Sequence, residues 1–240
     1  MKSLKTVLYV GLLLALTAPG AFADVNLWEW ALNINGDVYA SSDPAYPSIP
    51  PANVTTTLPW SWATQQFDVL GNPIINSSMG TISIPFTLPG VYFVSAYFDY
   101  DIYNVYSNET GTAVGAAPGY LTWEIGDPLA SIYYDVTGGA PLPNLDTPYT
   151  GDVALAQRIA FIVGAGEQAT VRLMLGNTAP ASGFYLQQHD PGEVGSPAYD
   201  LYFQTKVDFS PTGVVPEPAS LFLFGTVLAG VATRFLRRSS

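Results

Sequence analysis

The chain has no cysteine, a single histidine and few cationic side chains. The first absence excludes disulfides, a thiolate metal site, a cysteine nucleophile and thioester chemistry. At 240 residues the chain can bury a core without such cross-links. Eight Lys and Arg stand against 19 Asp and Glu, a formal net charge of −11. Five of those cations lie at the two ends: Lys2, Lys5, Arg234, Arg237 and Arg238. Between them only Arg158, Arg172 and Lys206 face 18 acidic residues, so the body carries a charge near −15. Such a surface repels nucleic acid, whose binding needs basic neutralisation of phosphates. It favours divalent cations and cationic partners. Also missing are a G-x-S-x-G elbow, an H-E-x-x-H helix, a phosphate loop and a G-x-G-x-x-G turn.

What is present begins with an export signal. Lys2 and Lys5 precede an apolar run from Val7 to Leu16, and Ala21-Phe22-Ala23 supplies a small-x-small cleavage pattern. Residues 1–23 are therefore expected to be a signal peptide cut after Ala23, with Ala21 and Ala23 as its recognition positions. The mature chain would start at Asp24.

The other end has three parts in fixed order. Pro216-Glu217-Pro218 comes first, held extended by its two prolines. An apolar run follows from Ala219 to Thr233, and Arg234, Arg237 and Arg238 close it as a cytoplasmic stop. At 15 residues the run is shorter than the roughly 20 that a span needs. A helix crossing here extends through Phe235 and Leu236 with Arg234 snorkelling, or sits in a locally thinned bilayer. The wording V-P-E-P-A-S, span and arginines resembles the PEP-CTERM sorting signal of Gram-negative envelope proteins, over residues 214–238.

That resemblance implies processing by a membrane protease of the exosortase type. It also implies transient residence in the inner membrane with the C-terminus cytoplasmic, then delivery to the cell surface or extracellular polysaccharide matrix. The expected division is a domain over 24–210, a linker with the Pro-Glu-Pro signal over 211–218, and a transmembrane helix with basic tail over 219–240.

The body is rich in Gly, Pro, Thr, Tyr and Phe and has no long 3.6-period segment, which predicts β structure throughout. Asn26 to Tyr39 alternates around Asn35-Gly36, a strong hairpin signal. Residues 43–59 read as a proline-rich loop. Thr81 to Leu88 alternates, with Pro85 placing it toward a sheet edge, and Val91 to Tyr100 returns after Pro89-Gly90. Further strands are expected over 120–125, 131–136, 154–163, 169–175 and 199–209. Nine or ten short strands of this kind predict an all-β antiparallel sandwich of jelly-roll type. The phrases Val94 to Ile102 and Gly183 to Pro191 resemble exported PEP-CTERM sandwich proteins, a likeness that names no activity.

Candidate chemistry is sparse. Asp99 and Asp101, two apart at a strand end, point to one face, and the loop after them offers Asn104, Asn108 and Glu109. Hard oxygen ligands in an acidic exported protein suit Ca²⁺, with Asp99, Asp101 and Glu109 as the candidates. They equally suit a solvated loop, for no D-x-D-x-D-G spacing accompanies them. A glycosidase would need two carboxylates on facing elements at a defined separation. His189, in a Gln-Gln-His-Asp-Pro-Gly context, reads as a solvent-facing turn residue rather than a base. Trp28 and Trp30 are expected in the core, because Leu32 and Ile34 continue their face. Trp60 and Trp62, after the proline loop, stand as either core fill or a stacking platform for sugar rings. The sequons at Asn53, Asn76 and Asn108 read as chance occurrences in a Ser- and Thr-rich chain.

With the two ends, these features predict a non-enzymatic exported protein whose tail directs its sorting. The alternatives are a carbohydrate- or calcium-binding matrix adhesin module and, third, an exported hydrolase.

Overall fold

The computed structural model describes residues 25–57, 66–67, 73–74, 79–102, 108–145, 149–192 and 197–212. Ala21, Ala23, Trp60, Trp62, Asn76, Asn104, the Pro-Glu-Pro signal, the apolar run and Arg234, Arg237 and Arg238 lie outside them. Among the described residues no helix is long and apolar enough to cross a membrane.

Two antiparallel sheets face each other. The first holds β1 (Val25–Ile34), β2 (Asp37–Ala40), β7 (Gly90–Ile102), β9 (Leu121–Gly126) and β11 (Ala154–Val163), in the order β2-β1-β7-β11-β9. The second contains β3 (Thr55–Thr56), β6 (Gly80–Phe86), β8 (Glu109–Val114), β10 (Tyr149–Gly151), β12 (Glu167–Gly176), β13 (Tyr185–Asp190) and β14 (Tyr199–Pro211). Its order is β10-β8-β13-β14-β12-β6-β3. A separate two-stranded ribbon pairs β4 (Gln66–Phe67) with β5 (Pro73–Ile74).

Period-two alternation builds this core. Val94, Ala96, Phe98, Tyr100 and Ile102 of β7 point inward with Leu155, Ile159 and Phe161 of β11. They meet Ile82, Ile84 and Phe86 of β6, Val171 and Leu173 of β12, and Leu201 and Phe203 of β14. Phe98 meets Phe203 edge to face across the two sheets, with ring centres 5.1 Å apart. The hairpin expected at Asn35-Gly36 forms: φ is 56° at Asn35 and 101° at Gly36, the two positive values a type I′ turn requires. Pro85 sits one strand from the sheet's end, where only the two-residue β3 covers β6.

Three local expectations need correction. Residues 131–136 do not form a strand; they open α1 (Ile132–Gly138). A helix buries Ile132, Tyr133 and Val136 on one face while leaving Tyr134 exposed. That face packs on Ala31, Tyr97, Ala154 and Ala156, whose small alanines leave room for a helix on the outer side of the first sheet. Gly139 ends it in the left-handed region, φ 73°.

The second correction concerns the tryptophans of β1. A register shift between Leu27 and Glu29 inserts a bulge against β7. Inward parity therefore changes from Val25 and Leu27 to Trp30 and Leu32. Trp30 is 3% exposed and Trp28 46%.

Third, His189 is in strand β13 rather than a turn, and Glu109 begins β8 instead of lying in the preceding loop.

Candidate metal centre

Among the described residues, the outer face of the first sheet, beside the ground covered by α1, gathers three carboxylates close together. Asp99 and Asp101 project from it because they share parity with Tyr97, which packs under the helix. Antiparallel pairing sets Asp99 opposite Glu29 on β1 and opposite Ala154 on β11. Asp152 lies two residues before Ala154, in the connection that leaves β10 through Gly151. This pairing brings residue 152 to a site begun at residue 99. One carboxylate oxygen from each of Asp99, Asp101 and Asp152 lies within 4.8 Å of the other two.

Asp99 is 3% exposed, and its Oδ1 is buried with no hydrogen-bond partner among the described residues. Oδ1 of Asp152 is in the same condition. Burial, then the negative charges of Asp101, Asp152, Glu29 and Glu109, push the Asp99 carboxyl well above the usual range. Burial raises Asp101 to about 6, with Asp152 adding to it. Asp152 also rises to about 6, through burial and then the charge of Asp127.

Among the described residues no cationic side chain is placed to relieve this repulsion. Arg172 pairs with Asp208 at 2.5 Å on the outer face of the opposite sheet, where Lys206 stands across the ladder from it. Arg158 lies over the Phe93 ring at 4.3 Å. It faces Ser95 in register, four residues along β7 from Asp99 and so about 13 Å away.

Glu109 is close by but differently employed. It is wholly buried, and Oε1 accepts the Ile102 N–H at 3.1 Å. Oε2 accepts from Gln188 Nε2 at 2.7 Å and from the Val153 N–H at 3.3 Å. Burial lifts its carboxyl to about 8, although these three donors pull the other way. The carboxylate thus ties β8 and β13 of one sheet to the end of β7 and the start of β11 in the other.

His189 and Asp200 form a second polar group on the outer face of the larger sheet. His189 Nδ1 lies 2.7 Å from Asp200 Oδ1, which also accepts from Gln187 Nε2 at 2.8 Å. These contacts hold the Asp200 carboxyl below its usual range against the effect of burial. Both side chains are more than a third exposed on that sheet face.

The structure therefore gathers Asp99 and Asp101 as their spacing foresaw, and adds Asp152. No local pattern marks Asp152: it is a turn residue whose place depends on the β7–β11 register. Three carboxylate oxygens at this separation suit a hard cation taking oxygen ligands at 2.3–2.6 Å.

The model of the PEP-CTERM protein-sorting motif matches residues 214–238. No curated protein and no solved structure matches this chain.

Proposed function

From a chain that carries the PEP-CTERM protein-sorting motif, we propose a non-enzymatic exported sandwich protein whose body is delivered to the cell surface or extracellular matrix after an exosortase-type protease processes its tail. The match over residues 214–238 carries this reading. The last strand supports it, since β14 ends at Pro211 and leaves only a few residues before Pro216-Glu217-Pro218. The signal thus follows the folded body on a short tether. A temporary stay in the inner membrane fits an apolar run of 15 residues, marginal for a permanent anchor.

A non-enzymatic body is favoured by the chemistry at hand. The one histidine is engaged with Asp200 on an exposed sheet face, and the chain has no cysteine. A second reading, a cation-dependent matrix module, is favoured by the grouping of Asp99, Asp101 and Asp152.

Replacing Pro216, Glu217 and Pro218 together by alanine tests the sorting role, with immunoblots of membrane and released fractions as the readout. The full-length variant should accumulate in the membrane while the unaltered protein is shortened and released. Equal processing and release of both would overturn the proposal.

A further inference from the structure

We propose that Asp99, Asp101 and Asp152 form a calcium site that clips the β10–β11 connection onto the outer face of β7. The inference rests on the sandwich alone and stands or falls apart from the sorting tail. Its first support is geometric. Two ligands opposite one another across calcium are about 5 Å apart at the usual 2.3–2.6 Å contact distances, so oxygens within 4.8 Å can all reach one ion.

The second support is independent of the clustering. A carboxylate as deeply buried as that of Asp99 is ordinarily paired with a cation or supplied with hydrogen bonds. Its Oδ1 has neither among the described residues, and the carboxylate stands beside two further ones. Of the three cations of the body, Arg172 pairs with Asp208 and Arg158 lies over Phe93, while Lys206 stands beside Arg172 on the opposite face of the sandwich. Glu109 shows the contrast: its oxygens accept three hydrogen bonds, so it serves as a cross-link and not as a ligand.

Calcium is favoured among hard divalent ions because three protein oxygens leave room for the water ligands and the irregular geometry it accepts. Magnesium demands a near-ideal octahedron at 2.0–2.1 Å. Three carboxylates in an exported module correspond to Kd values of about 10⁻⁴ to 10⁻³ M. A site of that strength fills where free calcium is abundant, so it is completed after export. The ion then supplies the positive charge that the body lacks.

The test uses the exported chain, purified with its tail in detergent, chelator-treated and dialysed. Thermal unfolding is followed with 10 mM CaCl₂, 10 mM MgCl₂ or EDTA. Calcium should raise Tm by about 3–6 °C over EDTA if Kd is near 1 mM. Asp152→Asn should abolish that rise and also melt higher than the unaltered protein in EDTA, because one repelling charge is gone. Asp99→Asn should behave alike, while Asp208→Asn keeps the full calcium response. Tb³⁺ should give tyrosine-sensitised emission that calcium displaces and Asp152→Asn loses. The calcium assignment is overturned if calcium leaves Tm unchanged, if magnesium matches it, or if the rise survives both Asp99→Asn and Asp152→Asn. Should both acidic variants fail to fold, loss of Tb³⁺ emission on adding calcium to the unaltered chain supports the site, and absence of emission rejects it.

Discussion

Asn33 on β1 caps a helix that begins 99 residues later: its Nδ2 donates to the carbonyls of Val136 at 3.1 Å and Thr137 at 2.9 Å. Its Oδ1 accepts the Gly36 N–H at 2.9 Å, so one buried amide also holds the hairpin turn. The last carbonyls of a helix have no partner within it. Here a strand from the sheet beneath provides one, fixing where α1 ends.

Asn33→Ala is accordingly expected to lower stability by about 2–4 kcal/mol, since buried donors and acceptors lose their partners. Asn33→Asp should cost at least as much, for it removes both donated bonds and places negative charge at a helix C-terminus. Urea unfolding gives the size. Hydrogen exchange should show the amides of residues 135–139 losing protection first; uniform loss across both sheets would contradict a local cap.

Glu109 invites a comparison of two variants. Glu109→Ala strips acceptors from the Ile102 and Val153 N–H groups and from Gln188, and should destabilise by about 3 kcal/mol or more. Glu109→Gln retains one acceptor and should cost less. Equal stability of both variants with the unaltered protein in urea titrations would show that the two sheets do not depend on this tie.

The pH dependence should carry a signature from Glu124. This side chain is 4% exposed, on β9 beside α1, with Oε1 accepting from Ser131 Oγ at 3.2 Å and Oε2 buried without a hydrogen-bond partner among the described residues. Burial, then the charge of Asp135, raises its carboxyl from 4.5 to about 7. The folded state therefore holds this proton more tightly than the unfolded chain does. Its contribution is full below about pH 4.5, falls as pH rises, and is lost above about 7. At about 1.4 kcal/mol per pK unit the change is roughly 3.5 kcal/mol. Glu124→Gln should flatten that part of the profile in chelator and leave the variant more stable at pH 8. An unchanged slope would remove Glu124 as its source.

Much of the sandwich was legible because each signal was local. The alternation in residues 81–86 and 154–163 specifies inward faces without reference to distant neighbours. The Asn35-Gly36 pair specifies a turn through its own backbone preferences. The V-P-E-P-A-S tail announces sorting in the same direct way, through a contiguous peptide that an enzyme can read.

Other features required the assembled sheets. Residues 131–136 carry β-forming side chains, yet Ala31, Ala154 and Ala156 leave a shallow bed that a helix fills better than another strand. Trp28 and Trp30 share a face in any regular strand, and the bulge against β7 separates them into surface and core. Asp152 joins Asp99 and Asp101 only because β11 pairs with β7 in one register. From the sequence alone come the acidity of the body, its β periodicity and the address at its end, since composition and adjacent residues suffice for these. Tertiary structure decided which carboxylates share one place, because that depends on pairing between segments more than fifty residues apart.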